Sequence, residues 1–187
     1  DIGSEAERLN RMTAKLLSLT RVDGQVASES ELIRMAPTIR QVAKMLGPVA
    51  EKSGVELELR LEEDSTVLIT RDDLYQIVFN LIENGIKYNR PQGRVTVSLR
   101  KTTDLSKLTV TDTGMGIPQE ALDHIFERFY RVDKDRSRQT GGSGLGLAIV
   151  RAIVQRNRGE IRVDSQLGQG TSFFVTFPIF DTEVDAT

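Results

Sequence analysis

Gly141, Gly142, Gly144 and Gly146 fall within six residues and run straight into Leu147-Ala148-Ile149-Val150-Arg151-Ala152-Ile153-Val154. Lacking Cβ atoms, such a run can turn its N–H groups toward a ligand. Leu145, Ala148, Ile149, Ala152 and Ile153 are spaced as one apolar stripe, so the loop opens a helix. A glycine loop at a helix N-terminus offers unpaired N–H donors and the positive dipole end, which suits phosphate. A P-loop does not fit, because Gly146 is followed by Leu147 rather than Lys-Ser/Thr. A dinucleotide fingerprint needs a hydrophobic strand before the glycines, and here stand Arg136-Ser137-Arg138-Gln139-Thr140. The glycine loop of protein kinases lies between strands, whereas this one starts a helix. Taken alone, the loop leaves phosphate binding and a plain turn both open.

Two further groups could take part in such chemistry. Asn80, Asn84 and Lys87, at i, i+4 and i+7, form a polar stripe on a helix expected over 72–88. Amide side chains are poor helix formers, so the stripe is either solvated surface or a polar wall. Beside it, Leu74, Ile77, Val78, Leu81 and Ile82 make a core face, with Gly85 small enough for close packing. Asp112 ends a strand and is followed by Gly114 and Gly116. On its own it reads as a turn residue before a second glycine cluster.

Those groups need a scaffold, and the chain supplies one. Its 187 residues suffice for one domain with an ordinary core. The net charge of −2 gives no basic field for nucleic acid. Without cysteine there is no disulfide framework, thiolate metal site or thiol catalysis. No apolar run is long enough to span a bilayer. Ile2, Leu9 and Leu16, with Met12 and Leu19, form an a/d seam over residues 1–23, a long helix that needs a partner. Because the chain begins inside that pattern, it is expected to be part of something longer. Residues 24–29 form a linker, 30–180 the main domain and 181–187 a frayed tail. A helix is expected over 31–53, with Pro37 marking a late start, then strands over 55–61 and 67–69. Val95, Val97 and Leu99 alternate in one strand and Leu108 and Val110 in the next, with Thr102-Thr103-Asp104 between them. Residues 119–126 suggest a short helix, and the charged, irregular 127–139 a lid. Strands over 160–164 and 172–177 turn at Gly168-Gln169-Gly170. The expected fold is α+β: a two-layer α/β sandwich with a mixed, mostly antiparallel sheet covered by helices on one face, preceded by one long helix.

In order, the chain holds Asn80-Leu81-Ile82-Glu83-Asn84-Gly85-Ile86-Lys87-Tyr88, then Asp112-Thr113-Gly114-Met115-Gly116, then Ile125-Phe126-Glu127-Arg128-Phe129-Tyr130-Arg131-Val132-Asp133. Gly142-Ser143-Gly144-Leu145-Gly146-Leu147-Ala148 and Gly168-Gln169-Gly170-Thr171 follow. This series resembles the N, G1, F, G2 and G3 boxes of the ATP-binding domain of sensor histidine kinases, in the GHKL superfamily, over about residues 30–180. Residues 5–23 are similar to the second helix of that family's dimerisation and phosphoacceptor hairpin.

The resemblance implies the Bergerat ATP-binding fold and a role for each motif. Asp112 would accept from the adenine amine, Gly114 and Gly116 would let the backbone approach the purine, and Ile117 and Tyr88 would pack near the base. Thr171 would reach the adenine side. Asn84, together with Asn80, would offer amide oxygens to Mg²⁺, which keeps several waters, and Lys87 would meet a phosphate. Gly142, Ser143, Gly144, Leu145, Gly146 and Leu147 would hold the phosphates. Arg131 would clamp the γ-phosphate, with Arg128 as a substitute. The catalytic set is thus Asn80, Lys87 and Arg131, while Phe126 and Phe129 would anchor the lid. Gyrase-like relatives place a glutamate base where this chain has Asn80. Glu83 is expected to be solvated, so hydrolysis should be poor and ATP should be held for transfer. The family's phosphoacceptor histidine lies on the first hairpin helix, whereas His124 is expected to be a helix-end surface residue.

The implied activity is transfer of the γ-phosphoryl of Mg-ATP to that histidine, for relay to an aspartate of a response regulator. The implied partners are the chain's own or a sister phosphoacceptor helix and a receiver domain. The intact protein would be a homodimer, and this piece alone would bind ATP without autophosphorylating. It would be a cytoplasmic segment of a protein anchored in the membrane. A serine kinase of the anti-sigma-factor type shares the ATP fold, but the Leu9–Leu19 seam argues for the histidine kinase. A non-catalytic nucleotide-sensing module is disfavoured by the intact Asn84, Asp112 and glycine loops.

Overall fold

The computed structural model describes Thr13 and residues 29–133 and 142–180. The expected long helix over 1–23 therefore lies outside the described residues, apart from the helical Thr13, as do the tail and residues 134–141. Two sheets and four helices are described. Strand β1 (Glu31–Arg34) pairs antiparallel with β3 (Thr66–Ile69) in a small sheet. The main sheet holds β2 (Glu56–Arg60), β4 (Arg94–Lys101), β5 (Leu105–Asp112), β7 (Gly170–Pro178) and β6 (Glu160–Gln166), side by side in that order. Only β2–β4 is parallel among these neighbours, so the sheet is mixed and mostly antiparallel, as expected.

Alternation explains the layering. Val95, Val97 and Leu99 of β4, Leu108 and Val110 of β5, and Phe173, Val175 and Phe177 of β7 turn one face inward and are buried. The opposite side carries Thr96, Ser98, Thr109, Thr111, Ser172 and Thr176, all half-buried, as a polar sheet face permits. Helices α1 (Met35–Lys52), α2 (Arg71–Lys87) and α4 (Gly146–Arg156) cover the apolar face, and α2 packs between the other two. The four-residue α3 (Gln119–Leu122) follows β5.

Two expectations need correction. The helix expected from residue 31 begins at Met35, because residues 31–34 instead form β1. Pro37 falls in its first turn, where no helical partner waits for an N–H, and Pro48 lies inside the same helix. The short helix expected over 119–126 is helical only to Leu122 and continues as turns.

Candidate functional site

Helix α2 starts with a cap: the Thr70 hydroxyl accepts from the Asp73 N–H at 3.1 Å, and Asp72 and Asp73 sit at the positive end. Its buried face fixes its rotation and thereby aims the polar stripe. Asn80 is buried, and its amide nitrogen donates to the Gln76 carbonyl at 2.8 Å. The amide oxygen is thus directed toward α4, where a Cβ on Gly146 would stand 3.3 Å from it. The stripe is a polar wall rather than solvated surface. Glu83, expected in solvent, is half-buried and lines the same cavity as Asn80, Asn84 and Lys87. The physical reason is spacing: i+3 and i+4 flank the same helix face.

The cavity encloses about 330 Å³. The α2 stripe makes one wall and Gly142, Ser143, Gly144, Gly146 and Leu147 another, while Asp112, Gly116, Ile117 and Thr171 close the sheet end. Tyr88 and Arg131 also line it. The glycine loop opens α4 as anticipated, with no side-chain cap on its first N–H groups. Gly142 faces three cavity-lining side chains: a Cβ there would lie 2.9 Å from the Tyr88 hydroxyl, 3.4 Å from Lys87 Nζ and 3.5 Å from an Arg131 guanidinium nitrogen. Arg128 is exposed and does not line the cavity.

Gly114 and Leu145 do not line the cavity. Leu145 is fully buried in the core, and Gly114 faces protein, where a Cβ would strike the Tyr88 carbonyl. The Gly114 N–H instead donates to Asp112 Oδ1 at 2.8 Å. Asp112 is paired with Thr171 across β5 and β7 and is 8% exposed. Burial pushes its carboxyl up to about 6, with the N–H groups of Gly114 and Thr171 opposing the rise. Burial also raises the Tyr88 hydroxyl; nearby Arg131 opposes this and Glu83 adds to it.

Just before the stretch expected to form a lid, Phe126 packs edge-on against Phe173, with ring centres 6.4 Å apart, as an anchor should. Phe129 does not anchor. It is 50% exposed, holds a φ of 64°, and is tied by its N–H to the Gly144 carbonyl at 2.9 Å. His124 is an exposed surface residue as expected, and its Nδ1 meets Glu127 at 2.8 Å. Sequence reading missed Glu83, Asn89, Met115, Ile125, Tyr130, Val132 and Asp133 as lining residues. All but Glu83 and Asn89, which belong to or follow the asparagine motif of α2, lie inside or beside the glycine and aromatic motifs, which was the available signal.

Residues 69–181 match the family described as histidine kinase-, DNA gyrase B-, and HSP90-like ATPase. The chain is 36% identical to the sensor histidine kinase RppB of Synechocystis sp. over 182 residues, which is 96% of this chain and 40% of that protein. It therefore spans less than half the length of that relative. Among solved structures, the mycobacterial sensor histidine kinase MprB superposes with a TM-score of 0.70 at 30% identity, covering 80% of this chain and 97% of that one. Full-length ShkA, solved in complex with AMPPNP, gives 0.79 at 28% identity, covering 91% of this chain and 36% of that one.

Proposed function

Since the chain belongs to the histidine kinase-, DNA gyrase B- and HSP90-like ATPase family, we propose that its ATP-binding domain is the catalytic part of a sensor histidine kinase. It would pass the γ-phosphoryl of ATP to a histidine on a phosphoacceptor helix, its own or a sister's, for relay to a response-regulator aspartate. The observation that carries this reading is the cavity itself. A buried carboxylate lines its sheet end, and a glycine loop at a helix start faces an amide and lysine stripe.

Within it, Asp112 accepts from the adenine amine while Tyr88, Ile117 and Thr171 surround the base. The glycine-loop N–H groups from Gly142 to Leu147 receive the phosphates, with Lys87 and Arg131 supplying positive charge. Mg²⁺ fits the donor set. Asn80 and Asn84 offer neutral oxygens beside the phosphate site, and no cluster of three carboxylate, histidine or cysteine ligands stands among the described residues. Bound there, the ion would neutralise phosphate charge. Asn80 cannot take a proton, so no general base stands at its position. No described helix is long and apolar enough to cross a membrane. Membrane anchoring and homodimer formation are proposed for the intact protein on the family resemblance alone.

Calorimetric titration with ADP, AMPPNP and GTP, with and without Mg²⁺, tests the reading. Adenine-selective binding that Mg²⁺ strengthens for the triphosphate is expected. No binding by folded protein overturns it, and phosphoryl label appearing on His124 of this chain overturns the assignment of the acceptor.

A further inference from the structure

Ser165 lies in β6 opposite Thr171 of β7, buried and behind the cavity wall. Its hydroxyl oxygen meets three groups: the Ile117 N–H at 2.8 Å, the Gly170 carbonyl oxygen at 3.0 Å and the Thr171 hydroxyl at 2.8 Å. A serine hydroxyl carries one proton and two lone pairs. The carbonyl only accepts, so the serine proton goes to Gly170. The Ile117 N–H only donates, so it takes one lone pair of Ser165 Oγ. The Thr171 hydroxyl must then give its own proton to the second lone pair. With that proton committed, Thr171 has only lone pairs to offer the cavity it lines.

Asp112 stands beside it in the paired strand and, when ionised, also offers only lone pairs. We propose that Ser165 is a positioning residue for purine selection: by taking the Thr171 proton it makes that hydroxyl acceptor-only, so that Asp112 and Thr171 present acceptors and no donor to the base edge. The inference rests on the reading of the cavity as an ATP site. Adenine carries an amine donor where guanine and hypoxanthine carry a carbonyl acceptor. With both acceptors turned to the 6-position rather than to N1, each can take one proton of the adenine amine, whereas a carbonyl placed there meets repulsion and finds no donor. Leaving buried polar groups unpaired is the form of mismatch that discriminates most strongly. Sequence reading singled out Asp112 and Thr171 but not the serine that sets the threonine's proton.

The test compares ATP with inosine triphosphate, which exchanges the 6-amine for a carbonyl and adds a proton at N1, by calorimetry on the folded chain. Wild-type protein should prefer ATP by about 100-fold or more. In Ser165→Ala the freed Thr171 proton can rotate toward a carbonyl, so the preference should fall roughly tenfold, chiefly through tighter inosine triphosphate binding. A merely structural role would weaken both nucleotides together and leave the ratio alone. In a Thr171→Val background, Ser165→Ala should not change the ratio further. An unchanged ratio in folded Ser165→Ala overturns the proposal while leaving the ATP site standing. Should that variant fail to fold, Thr171→Val decides, since an unaltered preference there is equally fatal. Wild-type protein that binds neither nucleotide overturns the ATP reading and this inference with it.

Discussion

Asp112 is a carboxyl in a place that disfavours its charge, and that has opposite consequences for the free and the nucleotide-bound protein. Its folded value of about 6 lies above the ordinary carboxylate range, so the folded state takes up the proton more readily than the unfolded one. This contribution to stability is complete below about pH 4 and is lost as pH rises through about 6, to the extent of roughly 2–3 kcal/mol. Urea denaturation of the free protein between pH 4 and 7 should show that decline. The ionised form is the stronger acceptor for the adenine amine and carries no competing O–H, so ATP affinity should instead climb from pH 5 to 7. Asp112→Asn keeps an oxygen for the Gly114 N–H but turns an amide donor toward the base. We expect ATP affinity to drop by more than about tenfold at pH 7, with stability there no lower than wild type and the pH slope gone. Equal ATP affinity in the folded variant would remove Asp112 from the adenine role.

Between elements, the two helices that wall the cavity are tied at the end remote from the glycine loop. Asp73, in the first turn of α2, accepts from the Arg156 guanidinium at the end of α4 and from the Asn157 side-chain amide at 2.9 Å. Asn157 also donates to the Ile153 carbonyl at 2.8 Å, which braces it against its own helix. Asp73 is 8% and Arg156 24% exposed at the side chain, so the pair is mostly shielded from solvent. Removing the carboxylate strands the guanidinium. Asp73→Ala should lower stability by about 2–3 kcal/mol in urea denaturation and weaken ATP several-fold as Asn80 and Gly146 lose their spacing. An effect on stability alone would make the clamp purely structural.

At this scale the sequence was read unevenly, for reasons the contacts explain. The α2 core face, the β4–β5 hairpin and the glycine-opened α4 were legible because each is specified by neighbours a few residues away. The start of α1 was not. Arg34 gives it no side-chain cap, and the Ala36 N–H is met by Asp64 Oδ1 at 3.0 Å from 28 residues along the chain. Strands β1 and β3 are four residues each and carry Leu32 and Leu68 outward, so their alternation is too brief and too apolar to declare a face. The solvent reading of Glu83 failed for a different reason, because two adjacent positions on a helix can flank one groove. Asp112 and the five motifs were found because their spacing is local. Ser165 was not, because a hydroxyl in an alternating strand signals nothing until its partners are known.

Across the whole molecule, the cavity is assembled from segments widely separated in sequence. Asn80 and Lys87 come from α2, Asp112 from β5, Arg131 and Gly142 from either side of the undescribed stretch, and Thr171 from β7. What brings the sheet end together is the pairing of β5 with β7, which sets Asp112 against Thr171. That pairing closes a loop containing α3, α4 and β6, so the proposed base site does not exist until most of the chain has condensed. A nucleotide held there stabilises only the finished structure, and by mass action at 100 times its dissociation constant the gain is about 2.7 kcal/mol. The inner strands should therefore feel the nucleotide as strongly as the cavity does. In deuterated solvent, the amides of β5 and β7 that exchange only through complete unfolding should slow by about 100-fold at that concentration, including those near Leu105 and Pro178, at the far ends of the strands from the base. Slowing confined to Asp112 and Thr171 would instead mean that the site can open while the sheet stays closed.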